Sequence, residues 1–335
     1  MKYTDVFLDD KTILITGGAG FIGSNLAFYF QNNHPDAKVV VLDIFRSGKT
    51  FENGNLKSFG HFKNLIGFSG EVIAGNINDK EILEKLKAYN FDYIFHQAAI
   101  SDTTVADQAL MIETNVNAFK NYLDLALETD AVMVYASSGA TYGNASSPQT
   151  VGKESPENVY GFSKLMMDNI AYKYMSQYPQ MHIVGLRYFN VYGPREYFKN
   201  TTASMVLQLG LQILSGKTPR LFYDSDKILR DFIYVEDIIQ ANIKAMVSEN
   251  KGVYNVGTAK PRSFQDIADI LQKELGVGLR TEYFKNPYVG YQMHTEANIL
   301  MTKEYLEFEP NFTLEDGIKA YIPEIKNIYE KEVKC

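Results

Sequence analysis

The 335-residue sequence predicts an α/β protein with a doubly wound parallel sheet and a smaller, interleaved α/β domain. Three observations support this fold class. Short β-branched runs alternate with longer amphipathic stretches, the short runs are apolar almost throughout, and a glycine-rich turn joins the first run to a helix. Strands covered by helices on both faces have this apolar character, and regular strand–helix alternation is typical of parallel sheets.

The apolar runs predict strands at residues 12–16, 38–42, 72–74, 93–95, 132–136, 182–186 and 253–256. The amphipathic stretches predict helices at residues 20–31, 79–88, 109–127, 160–177, 203–214, 236–247 and 264–275. Internal repeats and low-complexity segments are absent from the sequence. The order of these elements predicts repeated βα units along most of the chain.

The alternation becomes less regular after Arg187, where prolines, glycines and polar turns surround one helix. We predict that the sheet domain comprises residues 1–188, about 232–259 and a short return near 294–306. The smaller domain then comprises residues 189–231, 260–293 and 307–335. Because open α/β sheets bind ligands at the carboxyl ends of their strands, the ligand site is expected between the two domains.

The composition excludes several classes of function. A formal net charge of −7 gives no basic surface for nucleic acid or an anionic membrane. The single cysteine, Cys335, excludes a disulfide framework and a thiolate metal cluster, and no His/Cys/carboxylate spacing indicates a metal site. The sequence has no signal-peptide pattern and no apolar run of membrane-spanning length. These features predict a cytoplasmic protein.

The first strand leads directly into the turn 17–23, with the sequence GGAGFIG. Gly18, Gly20 and Gly23 fit the pattern G-x-G-x-x-G, and Gly17 with the last two fits G-x-x-G-x-x-G. Glycine permits a tight turn and close approach of a pyrophosphate, which the N-terminus of the following helix can bind. A purely structural turn is the alternative. The strand–turn–helix context favours a dinucleotide site.

The residues after the second strand bear on the choice of dinucleotide. Asp43 can accept hydrogen bonds from the adenosine ribose, which favours NAD. Arg46 and Lys49 can pair with the 2′-phosphate of NADP, or can lie in a solvated loop. Further cofactor contacts are predicted at Phe21, Ile22, Ile44, Asn76, Ile77, Gln97, Ala98, Ala99, Ser101, Thr114 and Val191.

Tyr160 and Lys164 lie one helical turn apart on a predicted helix. A neighbouring ammonium and an oxidised nicotinamide would both favour the phenolate and bring the pKa of Tyr160 towards working pH. Lys164 can also hold the nicotinamide ribose. The spacing could arise by chance in a chain with 23 tyrosines, but Ser138 adds a hydroxyl at a predicted strand end, where it can bind the reacting oxygen.

The glycine turn, Ser138 and the Tyr160/Lys164 pair occur in the order found in extended short-chain dehydrogenases/reductases, which the chain resembles from Lys11 to its last helix. This group includes nucleotide-sugar epimerases and dehydratases. Its dehydratases carry an acidic pair directly after the serine or threonine, where this chain has Gly139 and Ala140. The resemblance therefore implies an NADP-binding Rossmann domain with a substrate domain, and an activity other than dehydration.

The stretch from Arg187 to Ser204 closely resembles the bacterial ADP-glyceromanno-heptose 6-epimerases. In that family a lysine at the position of Lys199 works opposite the tyrosine, and tightly held NADP is the cofactor, so Lys199 is implied to be a second base that also contacts the cofactor. The resemblance further implies substrate contacts at Ser138, Asn190, Thr201, Gln208, Phe222, Arg230 and Tyr291. Thr201 and Gln208 depart from the serine and histidine of enterobacterial members.

The sequence thus predicts a homo-oligomeric nucleotide-sugar epimerase, since the family members that it resembles are pentameric. Tyr160, Ser138 and Lys164 would remove the hydroxyl proton as hydride passes to NADP (NAD being possible), and Lys199 would complete the inversion at C-6 of ADP-D-glycero-D-manno-heptose for lipopolysaccharide inner-core synthesis. A UDP-sugar 4-epimerase is the alternative enzyme. A non-catalytic dinucleotide-sensing module is the alternative from another class, but such relatives typically lose the Tyr/Lys pair.

Overall fold

The structure, a computed structural model, describes residues 1–46, 60–287 and 292–334. Its strands are β1 Thr12–Thr16, β2 Lys38–Asp43, β3 Glu71–Ala74, β4 Tyr93–His96, β5 Val132–Ser138, β6 Ile183–Tyr188, β7 Asn190–Tyr192, β8 Arg220–Phe222, β9 Leu229–Arg230, β10 Phe232–Tyr234, β11 Gly252–Val256, β12 Arg262–Ser263 and β13 Glu282–Phe284. Seven of them form one parallel sheet in the order β11-β6-β5-β4-β1-β2-β3. The predicted doubly wound sheet is confirmed.

The α-helices are α1 Phe21–Asn33, α2 Lys80–Lys87, α3 Gln108–Met111, α4 Ala118–Thr129, α5 Val159–Gln177, α6 Met205–Leu214, α7 Val235–Val247, α8 Phe264–Leu275, α9 Leu300–Leu306 and α10 Leu314–Ile328. In the part of the chain that the structure describes, no helix combines the length and the apolar character needed to cross a membrane.

Both faces of the central sheet are buried. Along β1, Ile13 and Ile15 pack into the core beneath α1 and α7, whereas Leu14 packs into the core beneath α4 and α5. Because successive side chains of a strand point to opposite faces, a strand covered on both sides must be apolar at every position. This explains why the centre of β1, residues 13–15, is apolar at every position and why the strand could be predicted from the sequence.

The smaller domain is built from α6, α8 and α10, which share a third apolar core that includes Leu207, Leu271 and Ile325. Three two-stranded pairs accompany these helices: β7 with β10, β8 with β13 and β9 with β12. The buried carboxylate of Asp231, between β9 and β10, accepts hydrogen bonds from the backbone N–H groups of Thr258 and Ala297 at 2.7 and 2.9 Å. It thereby joins three segments that lie far apart in the sequence.

Two parts of the helical prediction differ from the structure. The helix expected at residues 109–127 is divided into α3 and α4 by a π-helical turn, Ile112–Asn117. Helices α9 and α10 are not among the predicted helices, although Thr313 caps α10. Gly317 and Pro323 lie inside α10, and both residue types ordinarily interrupt a helix. The local sequence therefore did not predict α10.

Candidate active site

A cavity of about 310 Å³ lies at the carboxyl ends of the central strands. Its lining includes the following predicted site residues: Gly17, Gly20, Phe21, Ile22, Gly23, Asp43, Ile44, Asn76, Ile77, Gln97, Ala98, Ala99, Ser101, Thr114, Ser138, Tyr160, Lys164, Val191 and Lys199. Strand ends, the glycine turn and the first turn of α5 thus converge on one space.

Seven further lining residues were not predicted: Gly60, Ile100, Leu110, Ala136, Ser137, Tyr188 and Phe189. Some of them could have been predicted from the sequence, because Ser137 and Tyr188 lie at the carboxyl ends of β5 and β6. Leu110 does not lie at a strand end, and no sequence pattern indicated that it would line the cavity. It lies on α3 just before the π-helical turn that carries Thr114, and π-helical turns occur frequently at functional sites.

The glycine turn fits the diphosphate of a dinucleotide. Gly17 has φ +68°, and a Cβ there would lie 2.7 Å from the Ala98 nitrogen. A Cβ at Gly23 would lie 2.3 Å from the Gly17 oxygen. Only glycine leaves this backbone open to a ligand. Helix α1 begins directly afterwards, and its N-cap residue, Gly20, has no side chain to occupy the first N–H groups, which remain suited to an anion.

Asp43 lines the cavity and also braces the glycine turn. Its Oδ2 accepts the Ala19 N–H at 3.0 Å and its Oδ1 accepts the Phe45 N–H at 3.1 Å. Arg46 is not part of the cavity lining, and its guanidinium carbon lies 5.6 Å from the centre of the Phe198 ring. Lys49 lies outside the described residues. The interaction of Arg46 with a 2′-phosphate therefore stays a prediction.

Tyr160 and Lys164 occupy the first turns of α5, whose N-terminus is capped by Asn158. The Lys164 Nζ lies 6.0 Å from the Tyr160 ring centre and donates to the Ala136 carbonyl at 2.7 Å. Burial raises the pKa of the Tyr160 hydroxyl, while a hydrogen bond with Ser138 lowers it. Burial also lowers the pKa of Lys164 to about 8. The net shift of Tyr160 is thus opposite to the expected one, because burial outweighs the neighbouring groups.

A buried ionic cluster lies beneath this pair. The Arg187 Nε donates to Asp168 at 2.9 Å, and a second guanidinium nitrogen contacts Glu154. Asp168 is fully buried and also accepts the Ser137 hydroxyl at 3.0 Å. Asp168 lies one helical turn beyond Lys164 on α5, so the cluster joins this helix to the end of β5.

Lys199 lies in a short 3₁₀ turn, Tyr197–Thr202, and its Nζ is 5.5 Å from the centre of the Phe21 ring. Burial lowers the pKa of the Lys199 ammonium, whereas the charges of Glu196 and Asp102 raise it. A desolvated lysine of this kind can exchange protons nearer to neutral pH than a solvated one.

Five predicted substrate residues are not part of this cavity's lining: Asn190, Thr201, Gln208, Phe222 and Arg230. The Gln208 amide instead donates to the Ala203 and Thr201 carbonyls at 2.6 and 3.3 Å. The Arg230 guanidinium is buried and donates to the Leu229 carbonyl at 2.8 Å and to the Gln292 carbonyl. Tyr291 lies outside the described residues. These substrate roles stay predictions.

Within residues 1–46, 60–287 and 292–334, no group of three His, Cys, Asp or Glu side chains is placed to hold a metal ion. His96 is buried at the end of β4, with its Nδ1 3.0 Å from the Thr16 hydroxyl. Burial lowers its pKa to about 3, so the ring is neutral and acts in packing.

Comparison with known proteins places this geometry among nucleotide-sugar enzymes. Residues 13–257 match the family described as the NAD-dependent epimerase/dehydratase family. The ADP-L-glycero-D-manno-heptose-6-epimerase of Helicobacter pylori is 53% identical with a TM-score of 0.90, over 97% of this chain and 99% of that one.

Two 4-epimerases are also similar in structure. The UDP-glucose 4-epimerase of Thermotoga maritima, solved with UDP-glucose, is 26% identical with a TM-score of 0.84, over 94% of this chain and 99% of that one. A variant of the UDP-glucuronic acid 4-epimerase of Bacillus cereus, solved with NAD, is 27% identical with a TM-score of 0.80, over 95% of this chain and 100% of that one. The same backbone therefore serves several nucleotide sugars.

Proposed function

Because the chain belongs to the NAD-dependent epimerase/dehydratase family, we propose that it is an ADP-glyceromanno-heptose 6-epimerase. It inverts C-6 of ADP-D-glycero-D-manno-heptose through a transient ketone, using NADP as the bound dinucleotide. The observation that carries the proposal is that Lys199 and Tyr160 line the same cavity, where they provide two proton-exchanging groups. The 53% identity to the Helicobacter pylori enzyme supports the choice of sugar.

The first half of the reaction uses the residues around Tyr160. The Tyr160 oxygen takes the proton of the C-6 hydroxyl as hydride leaves C-6, and Ser138 orients the reacting oxygen. A dinucleotide held by the glycine turn and Lys164 would supply, through its nicotinamide, the acceptor and donor of this hydride. The Lys164 ammonium favours the phenolate, and its two N–H groups not bonded to Ala136 are available to the ribose.

The second half requires the ketone to present its other face. C-6 lies outside the sugar ring, so its ketone can turn about a single bond while the ring stays bound. The oxygen then occupies a new position, where the Lys199 ammonium donates a proton as hydride returns to carbon. Lysine suits this role because burial favours release of its proton. Tyr160 then releases its proton to solvent and Lys199 takes one up, so both groups return to their starting states. Two fixed groups are therefore sufficient for inversion, and no net oxidation results.

The rival enzyme is a UDP-sugar 4-epimerase, whose fold is shared. A ring ketone at C-4 can be inverted only if the whole sugar turns, and one base then serves both faces. A second lysine in the cavity favours the exocyclic reaction. A non-catalytic dinucleotide-sensing module would not need Tyr160 and Lys164 together at the cavity.

The test is to offer purified protein ADP-D-glycero-D-manno-heptose, UDP-glucose and UDP-glucuronic acid separately. Products are separated by chromatography and identified by NMR. We expect only the heptose to be converted, to its L-glycero epimer. Turnover of a UDP-hexose with no action on the heptose contradicts the proposal, and no turnover of any sugar favours the sensing module.

The proposal extends to the cell and the assembly. The heptose product belongs to lipopolysaccharide inner-core synthesis, and we place the protein in the cytoplasm as a homo-oligomer, by analogy with the pentameric enzymes that the sequence resembles. Light scattering of the purified protein measures the assembly directly.

A further inference from the structure

The segment 193–204, which we call the lysine loop, carries Lys199 in a strained backbone. Two of its residues other than glycine have positive φ: Arg195 at 72° and Asn200 at 51°. Such conformations persist only where surrounding contacts fix them, and they are concentrated at functional sites. The position of Lys199 therefore depends on what holds this loop.

Contacts with α1 hold the loop from outside. The Asn25 amide donates to the Pro194 carbonyl at 3.0 Å. The Arg195 guanidinium carbon lies 4.0 Å from the centre of the Phe28 ring. Helix α1 begins at the glycine turn, so these contacts tie the loop to the helix that borders the dinucleotide cavity.

Glu196 holds the loop from inside. Its carboxylate is fully buried and accepts the Gly193 N–H at 3.1 Å, the Ser204 N–H at 2.6 Å and the Ser204 hydroxyl at 2.7 Å. The backbone carbonyl of Glu196 accepts the backbone N–H of Lys199 at 2.9 Å. One side chain thus joins both ends of the loop. Burial raises the pKa of the Glu196 carboxyl, whereas Lys199 and these hydrogen bonds from Ser204 and Gly193 lower it and favour the ionised form.

The charge of Glu196 also reaches Lys199. Burial lowers the pKa of the Lys199 ammonium, and Glu196 and Asp102 raise it. Tyr321, on α10, also faces Glu196, and its phenol is kept neutral because burial and this carboxylate both raise its pKa. Glu196 and Asp102 are therefore the charged groups that oppose the effect of burial on Lys199.

We propose that Glu196 is a positioning residue for Lys199, which fixes the lysine loop and supplies the negative charge that keeps the ammonium available as a proton donor. The inference rests on the proposed function, because it takes Lys199 to be the second proton-exchanging group. Glu196 is not part of the cavity lining, so it acts through Lys199, which lines the cavity.

Glu196→Gln tests the proposal, since glutamine keeps the size of the side chain and removes its charge. We expect kcat for epimerisation to fall by about tenfold or more, with KM changed by less than about threefold. In the pH–rate profile, we also expect the limb that reports the titration of Lys199 to move to lower pH by about one unit, because the negative charge that favours the ammonium is lost. Thermal unfolding and bound dinucleotide are measured on the same samples.

Ser204→Ala is the matched control. It removes one hydrogen bond to the same carboxylate, together with the hydroxyl that caps α6, but leaves the charge in place. We expect it to lower the unfolding temperature without moving the Lys199 limb. An equal shift of that limb in Ser204→Ala, or no shift in Glu196→Gln, overturns the proposal.

A second readout separates this proposal from the identity of the sugar. The rate at which acetic anhydride acetylates Lys199 is followed against pH by mass spectrometry of the holoenzyme. A lower apparent pKa of Lys199 in Glu196→Gln supports the role of Glu196 even if the wild type does not convert the heptose, in which case only the proposed substrate fails. An unchanged acetylation profile overturns the role of Glu196.

Discussion

At the scale of single residues, burial controls the chemistry of the site. It raises the pKa of Tyr160 and lowers the pKa of Lys164 to about 8, so both groups disfavour their charged forms in the protein alone. A phenolate forms in such a site when positive charge is close to it. Lys164, 6.0 Å from the Tyr160 ring centre, supplies one such charge. We therefore propose that Tyr160 and Lys164 function as a unit.

Tyr160→Phe removes one hydroxyl and little volume. We expect turnover to fall by about 10²-fold or more, since the group that takes the hydroxyl proton is lost. Binding of dinucleotide and nucleotide sugar, measured by calorimetry, should be nearly unchanged. A variant that keeps a near-normal rate would show that another group takes the proton.

Lys164 predicts a pH dependence of stability. Its pKa is about 8 in the folded chain and 10.5 in its ordinary state, so between these values the unfolded chain binds more protons and stability rises with pH. Below about pH 8 the buried charge costs about 3 kcal/mol, at 1.36 kcal/mol per pH unit. Lys164→Met has no buried charge, so we expect it to have a higher free energy of unfolding than the wild type at pH 7. This difference should become smaller as the pH rises from 7 to 10.5, because Lys164 of the wild type then loses its charge. A difference that is independent of pH would contradict this.

At the scale of elements, the ends of β5 and β6 are fixed to α5 by ionic contacts. Arg187 on β6 is 1% exposed and pairs with the fully buried Asp168 on α5 at 2.8 Å. Asp168 and the Ser137 hydroxyl are joined at 3.0 Å, next to Ser138. A buried pair of this kind is costly to break, because the remaining charge stays in a medium that solvates it poorly.

Arg187→Met removes one partner of this pair. We expect the free energy of unfolding in urea to fall by about 3–5 kcal/mol. The control is Arg220→Met, which breaks an exposed ion pair with Glu282 and should cost less than about 1 kcal/mol. Similar losses of unfolding free energy in the two variants would show that the buried Arg187–Asp168 pair contributes no more to stability than an exposed pair.

The sequence predicted elements whose signal is local. Strand β1 and the glycine turn were readable because burial on both faces and close backbone approach each demand particular residue types. Helix α10 was not, because Gly317 and Pro323 hide a helix that tertiary packing stabilises. The π-helical turn Ile112–Asn117, which follows Leu110 and carries Thr114 to the cavity, was not predicted because no sequence periodicity marks it.

At the scale of the whole molecule, the cavity brings together the sheet and the lysine loop, which lie far apart in sequence. Lys199 was assigned by resemblance alone, since a lysine in a loop has no local pattern that marks it. What places it at the cavity is the contact between the loop and α1. The solved relatives share this fold but are named for different nucleotide sugars, and we propose that the loop carrying Lys199 is what distinguishes this chain from the 4-epimerases.

Arg46, the residue on which the predicted cofactor preference depends, follows β2 and lies over Phe198 of the lysine loop, a segment far from it in the sequence. We predict that NADP copurifies with the protein, and that Arg46→Ala weakens NADP binding far more than NAD binding. Release by denaturation and mass spectrometry identify the dinucleotide. NAD as the sole released cofactor would contradict the preference.

The central claim is that Tyr160 and Lys199 invert C-6 of the heptose together. The most direct measurement is conversion of ADP-D-glycero-D-manno-heptose by wild type and Lys199→Met, followed by NMR at C-6, with fold and bound cofactor checked in both. We expect the wild type to convert the heptose and the variant not to, while the variant keeps its unfolding temperature and its cofactor content. Unchanged epimerisation by Lys199→Met would remove Lys199 from the mechanism and contradict the claim.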